Sequence, residues 1–311
     1  MSKKLVSIII RTLNEQRYLE ELLTEISKQS TNLYDIETVI VDSGSTDKTI
    51  ETANKFGCRI TYIKKDDFTF GRSLNYGCDY AKGDYLVFIS GHCIPKNSSW
   101  IENLVAPLET GCSYTYGRQL GRDTTKFSER QLFKKYFPNE SRIPQEGFFC
   151  NNANAAIKKE IWKEYQFDEE LTGCEDMFLA KKLVEKGLYL GYVSNAEVFH
   201  IHDETWDKVQ VRYEREAIAL QKILPEIHVS ITDTIKYISV GILKDISAAF
   251  KQKVLLSEIN SIVRFRLAQY IGAYKGNHIH RKLSQEMKNR YFYPRVTDME
   301  INSKLSDRKG K

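Results

Sequence analysis

Clustered cysteines are absent. The six, Cys58, Cys78, Cys93, Cys112, Cys150 and Cys174, stand well apart, with no two inside a three-residue window. That spacing excludes a zinc ribbon and offers no compact disulfide framework, so a reducing compartment, the cytoplasm, is expected. Long apolar runs are absent as well. Nothing approaches the roughly eighteen residues that a membrane-spanning helix needs. The opening segment, MSKKLVSIIIRTLNE, meets Arg11 and Glu15 too early for a secretory leader. No internal repeat is visible. Neither charge sign dominates: 46 Lys and Arg stand against 41 Asp and Glu, a net charge of +5. So mild an excess permits acidic partners such as nucleotides, phosphates or anionic lipid without demanding them, and nucleic acid is not expected.

What is present fits a globular chain. It has 311 residues, 41% hydrophobic and 28% charged, enough for one large domain or a domain with an appendage. Short apolar, β-branched runs at residues 5–10, 36–41, 59–63 and 85–89 read as buried strands. Between them, helical spacing appears at 18–26, 46–55 and 73–81, with Ser45 or Thr46 as the cap of the second helix. Four strands alternating with helices predict an α/β fold with a parallel sheet, and such sheets bind ligands beyond the carboxyl ends of their strands. Farther on, a strand is expected at 112–117, helices at 126–136 and 175–186, and strands at 188–193 and 197–200. FFCNNANAAIK (148–158) carries three asparagines among small apolar residues. From Trp206 the chain turns helical, with Ile235, Ile238, Ile242, Ile246 and Ala249 along one face. The last thirty or so residues are basic and poor in apolar runs, and disorder is expected at the extreme end.

Polar residues collect where the strands end. The first strand leads into Arg11-Thr12-Leu13-Asn14-Glu15, the second into Asp42-Ser43-Gly44-Ser45-Thr46-Asp47, the fourth into Ser90-Gly91-His92-Cys93. Any one of these is an ordinary turn or cap. Three at one edge point to a site.

VSIIIRTLNEQRYLEELLTEI, ETVIVDSGSTDKTIETANKF, FTFGRSLNYGCDYAKGDYLVFIS and GCEDMFLAKKLVEKG together resemble the inverting family 2 glycosyltransferases of GT-A fold, over roughly residues 5–205. The motif forms are most similar to rhamnosyltransferase-like bacterial enzymes of surface polysaccharide synthesis. The resemblance implies a nucleotide-binding sheet flanked by helices as a catalytic domain, residues 1–205, followed by a mainly helical region, 206–311. It implies a nucleoside diphosphate sugar donor, with uridine or thymidine diphosphate the usual choices, and a saccharide acceptor on a lipid carrier. Thr12, Leu13, Asn14 and Glu15 would cradle the base and Asp42 contact it. Arg72 and Asn75 match positions near the diphosphate. Glu175-Asp176 matches the family's acidic pair, with Asp176 as the base that takes the acceptor proton and Glu175 as the alternative.

The fourth strand departs from the family pattern. Ser90 and His92 stand where the family has aspartates, with Gly91 between them. His200 matches a histidine that joins the metal and diphosphate, and His202 lies two residues on, pointing the same way along an extended segment. Two readings follow. In one, His92, His200 and His202 hold a divalent metal, Mn²⁺ or Mg²⁺; in the other, His92 and Arg72 neutralise the leaving group directly. His228, His278 and His280 read as structural or surface residues. The basic helical end allows peripheral contact with an anionic membrane.

Overall fold

The computed structural model describes residues 3–292 except residue 30, with the backbone alone over 280–292. The expected disorder of the chain's end and the reading of His280 lie outside the described residues.

Four strands, β1 (Lys4–Thr12), β2 (Tyr34–Asp42), β3 (Arg59–Tyr62) and β4 (Tyr85–Ser90), form the parallel half of one eight-stranded sheet. Helices α1 (Gln16–Ser27), α2 (Thr49–Lys55) and α3 (Phe70–Tyr80) connect them. The strand β1 is apolar on both sides because both sides are covered. Val6, Ile8 and Ile10 enter one core with α1, and Ile9 enters another with Leu74 of α3. The other half of the sheet holds β5 (Cys93–Pro95), β6 (Cys112–Leu120), β7 (Asn154–Lys158) and β8 (Tyr189–His200). There β7 runs antiparallel to both β4 and β6, β6 is parallel to β8, and β5 is antiparallel to β8. The strand order is β3-β2-β1-β4-β7-β6-β8-β5, so the sheet is mixed rather than parallel throughout.

Helices α4 (Trp100–Glu109), α5 (Phe127–Tyr136), α6 (Lys159–Tyr165) and α7 (Glu175–Glu185) flank this half. Two expected boundaries move. Helix α2 starts at Thr49, because Ser45 and Thr46 bind the neighbouring loop instead of capping. Helix α3 starts at Phe70, where the Thr69 side chain accepts the Arg72 amide. The two expected strands at 188–193 and 197–200 are one strand with a bulge, since Val193 pairs with Gly117 and Glu197 with Arg118.

That bulge bends the sheet. The strands β4 and β5 are joined by Gly91-His92 alone, yet they lie four places apart in the strand order. Three chain steps reach at most about 11 Å, whereas four places in a flat sheet span about 19 Å. The far edge must curl back to the carboxyl end of β4, which carries His92 to the end of β8.

The remaining helices, α8 (Trp206–Ile223), α9 (Ile231–Lys251) and α10 (Leu255–Phe292), seat on α5. Phe127 packs with Ala249 and Ile262, and Leu132 with Val209 and Phe265. Between α9 and α10, Arg266 makes a two-pronged pair with buried Asp245, at 2.7 and 2.9 Å. Among the described residues no helix is long and apolar enough to cross a membrane.

Candidate active site

The loops after β1 and β2 are laced into one surface. Asn14 takes the left-handed conformation, φ 58°, and its side chain accepts the Thr46 amide at 2.8 Å. Its own amide donates to Ser45 Oγ at 2.8 Å, and the Glu15 amide to Thr49 Oγ1 at 2.8 Å. Asp42 organises this turn. It is 1% exposed and accepts four bonds: Thr12 Oγ1 at 2.9 Å, Ser45 Oγ at 2.5 Å, and the Gly44 and Ser45 amides at 2.9 and 2.8 Å. Asp42, expected to contact the base, is thus held in a fixed orientation by its own loop. Leu13 is exposed beside it.

The β4–β5 link and the end of β8 gather His92, His200 and His202. One ring nitrogen from each lies within 4.8 Å of the others. His92 stacks on His200 with ring centres 5.3 Å apart. Each Nδ1 faces an oxygen: Glu15 Oε1 at 3.1 Å from His92, Gln119 Oε1 at 2.7 Å from His200, and Glu129 Oε1 at 2.7 Å from His202. An ionised carboxylate and an amide oxygen only accept, so each Nδ1 carries a hydrogen. Oxygens behind the ring orient metal-binding imidazoles in this way. Burial holds His200 far below the usual imidazole range, with its histidine neighbours adding to the effect, and burial also lowers His202. The set is a nitrogen-rich donor cluster whose spacing fits one divalent ion. Glu129 and Glu204 are both bound by Arg212 of α8, at 2.7 and 2.8 Å. Gly91 admits this packing, since a Cβ there would sit 2.9 Å from the Glu15 side chain.

Glu175 and Asp176 open α7. Cys174 precedes them in a left-handed conformation, φ 54°. Asp176 Oδ2 accepts the Asn152 amide at 2.8 Å and Oδ1 the Met177 amide at 2.7 Å. Burial and the adjacent Glu175 charge push its carboxyl up to about 7, against the pull of those two amides and of Arg11. Arg11 lies 3.4 Å from Glu175 and its guanidinium covers Phe70 at 5.0 Å. Arg215 lies 4.5 Å from the same ring centre, and its Nε is buried with no hydrogen-bond partner.

Asn75 and Arg72, expected near the diphosphate, both lie against the 167–169 loop. Asn75 is 4% exposed and fully committed within the protein. Its amide nitrogen donates to Phe167 O and Glu169 Oε1, both at 3.0 Å, and its oxygen accepts Trp162 Nε1 at 3.0 Å and the Phe167 amide at 3.1 Å. It is a clamp on the 167–169 loop and has no capacity left for a ligand. Arg72 pairs with Glu169 at 2.8 Å and reaches the Asp67 carbonyl, remaining partly exposed. Ser90 ends β4 half-buried, beside Arg11 in register. His228 and His278 sit together in the helical part, ring centres 5.1 Å apart. Sequence reasoning gave no role to Arg11, Gln119, Glu129, Arg212 or Arg215. Arg11 stood in the first strand-end motif and was readable there, whereas the other four reach the site only through tertiary packing.

The family model for glycosyl transferase family 2 matches residues 7–166. The chain belongs to that family. It is thus a glycosyltransferase, as the resemblance implied. Among curated relatives it is 26% identical over 214 residues to the O-antigen chain rhamnosyltransferase RfbN of Salmonella typhimurium, covering 64% of this chain and 67% of that one. It is 21% identical over 261 residues to the poly(ribitol-phosphate) beta-N-acetylglucosaminyltransferase TarS of Staphylococcus aureus, covering 82% of this chain but 43% of the relative. A solved mannosyltransferase from Pyrobaculum calidifontis, in complex with GDP-mannose and Mn²⁺, superposes with a TM-score of 0.60 at 16% identity, covering 93% of this chain and 88% of that one. At such identity the likeness speaks for the fold alone, and it bears out the GT-A sheet with helices and a helical C-terminal part.

Proposed function

We propose that this family 2 glycosyltransferase moves a sugar, with inversion, from a nucleoside diphosphate sugar to a saccharide acceptor during synthesis of a bacterial surface polysaccharide. Uridine or thymidine diphosphate is the proposed donor nucleotide, a lipid-linked glycan the proposed acceptor, and the cytoplasm the compartment. The observation that carries this reading is Asp176, a buried carboxylate at a helix start whose proton affinity is raised to about 7. A base poised near neutral pH suits removal of a proton from an attacking hydroxyl. In the step proposed, the acceptor oxygen bonds to the anomeric carbon and gives its proton to Asp176. The bond from that carbon to the diphosphate oxygen breaks, and the diphosphate leaves with the electron pair. The loops Thr12–Glu15 and 42–47 would hold the base and ribose, with backbone groups and the fixed Asp42 carboxylate reading the base edge.

His92, His200 and His202 would hold a divalent ion, which when bound supplies Lewis-acid neutralisation of the leaving diphosphate. Three imidazoles suit Mn²⁺ or a later transition ion better than Mg²⁺, which favours oxygen ligands. Arg11 and Arg215 add fixed positive charge on the side of the acidic pair. The test is Asp176→Asn, which keeps the shape and one of the two amide bonds but cannot take a proton. Turnover should fall by about a hundredfold or more, while donor affinity measured by calorimetry stays within about twofold. A variant that still turns over normally would remove Asp176 as the base.

A further inference from the structure

The outer side of the α9–α10 hairpin has an unusual composition. Helix α9 turns Thr234, Gly241, Asp245 and Ala249 inward. Its outer flank carries Ile231, Ile235, Leu243 and Phe250, exposed by 61, 60, 65 and 73%, and Leu256 beyond the turn is 95% exposed. At 100° per residue the four α9 side chains fall within a sector of about 120°. Lys236, Lys244 and Lys251 occupy the next sector, and Lys253 sits in the turn itself, all four exposed.

Carboxylates are few on that surface. Residues 231–267 contain three, of which Asp245 is buried and Asp233 and Glu258 are half-buried. Asp233 closes the capping box with Ser230, Asp245 is buried against Arg266, and Glu258 lies 3.7 Å from Arg130. What faces outward is apolar, cationic or small and polar.

We infer that the outer flank and tip of this hairpin dock onto an anionic lipid bilayer, with α9 lying in the interfacial plane. Apolar side chains of this size enter the acyl boundary while lysine stems reach up to headgroup phosphates. The charge pattern selects this occupant over a second copy of the chain. Two such flanks face to face would oppose lysine rows with only Asp233, already committed to its capping box, between them. The inference rests on the hairpin alone and holds whichever sugar or nucleotide the catalytic site takes.

The experiment is flotation of the full-length protein with vesicles of phosphatidylcholine alone or mixed equally with phosphatidylglycerol. Two exposed-site variants accompany it, Phe250→Ser with Leu256→Ser, and Lys251→Glu with Lys253→Glu. Wild type should float with the anionic vesicles only, and less so as salt rises. Each lysine near such a surface contributes about fivefold in partitioning, so the lysine variant should lose about twentyfold or more. The serine variant should also detach, with an unchanged circular dichroism melt in both. Equal binding to neutral vesicles, or undiminished binding by both variants, overturns the inference. So does a wild-type dimer in sedimentation that the serine pair converts to monomer without altering flotation, because the occupant is then a second copy.

Discussion

At Asp176 opposing influences meet, and the two that come from side chains can be removed singly. Burial and the Glu175 charge raise its proton affinity, whereas Arg11 and two backbone amides lower it. If Asp176 is the base, activity rises with pH through about 7, since only the ionised form accepts a proton. Glu175→Gln deletes a raising influence and should move that limb to lower pH. Arg11→Gln deletes a lowering influence and should move it to higher pH. The pH dependence of kcat/KM decides this, and shifts of both variants in the same direction would show that another group titrates. Linkage fixes the sign for stability. A carboxyl that binds its proton more tightly folded than unfolded favours the fold while protonated, and that contribution is lost as pH climbs from the ordinary aspartate range to about 7.

Elements differ in how plainly the sequence announces them. The strands β1, β2 and β4 are legible because both of their faces are buried, leaving apolar runs such as LVSIII and YLVFIS. Helix α4 is not announced, since IENLVAPLE holds Pro107 inside a helix and no side-chain cap bond marks its start. The direction of β7 is hidden as well, because antiparallel pairing to β4 depends on where the chain returns and not on which residues it carries. The same limit applies to the site. Its strand-end motifs are contiguous and readable, while the Glu129 and Gln119 partners of the histidines are supplied by α5 and β6 through folding alone. Helix α3 shows how tightly elements meet. A Cβ at Gly77 would stand 2.5 Å from Ile9 Cγ2 and 2.8 Å from Val41 Cγ2. Gly77→Ala should therefore destabilise the protein by about 1–3 kcal/mol despite the better helix propensity of alanine. Denaturant unfolding measures it, and an unchanged or raised midpoint would mean that α3 stands farther from the sheet.

On the scale of the whole molecule, one side chain of the helical C-terminal part reaches as far as the histidine cluster's own partners. Arg212 of α8 holds Glu129, and Glu129 in turn holds His202. Loss of an oriented partner to a metal-binding imidazole weakens metal affinity by about 10–100-fold. Arg212→Ala should therefore weaken Mn²⁺ binding by at least about tenfold while leaving the nucleotide loops intact. Calorimetry with Mn²⁺ alone checks this, and undiminished affinity would show that Glu129 needs no anchor. The two-residue β4–β5 link has a mechanical consequence. An open sheet can shed strands one at a time from its free edge. Here the last strand in the order, β5, is tethered to β4 in the middle, so the sheet behaves as a clasped strip in which peeling β5 loads β4 directly. His92 is the pin of that clasp, and force arriving at either half of the sheet is shared by the other before any strand is free to leave.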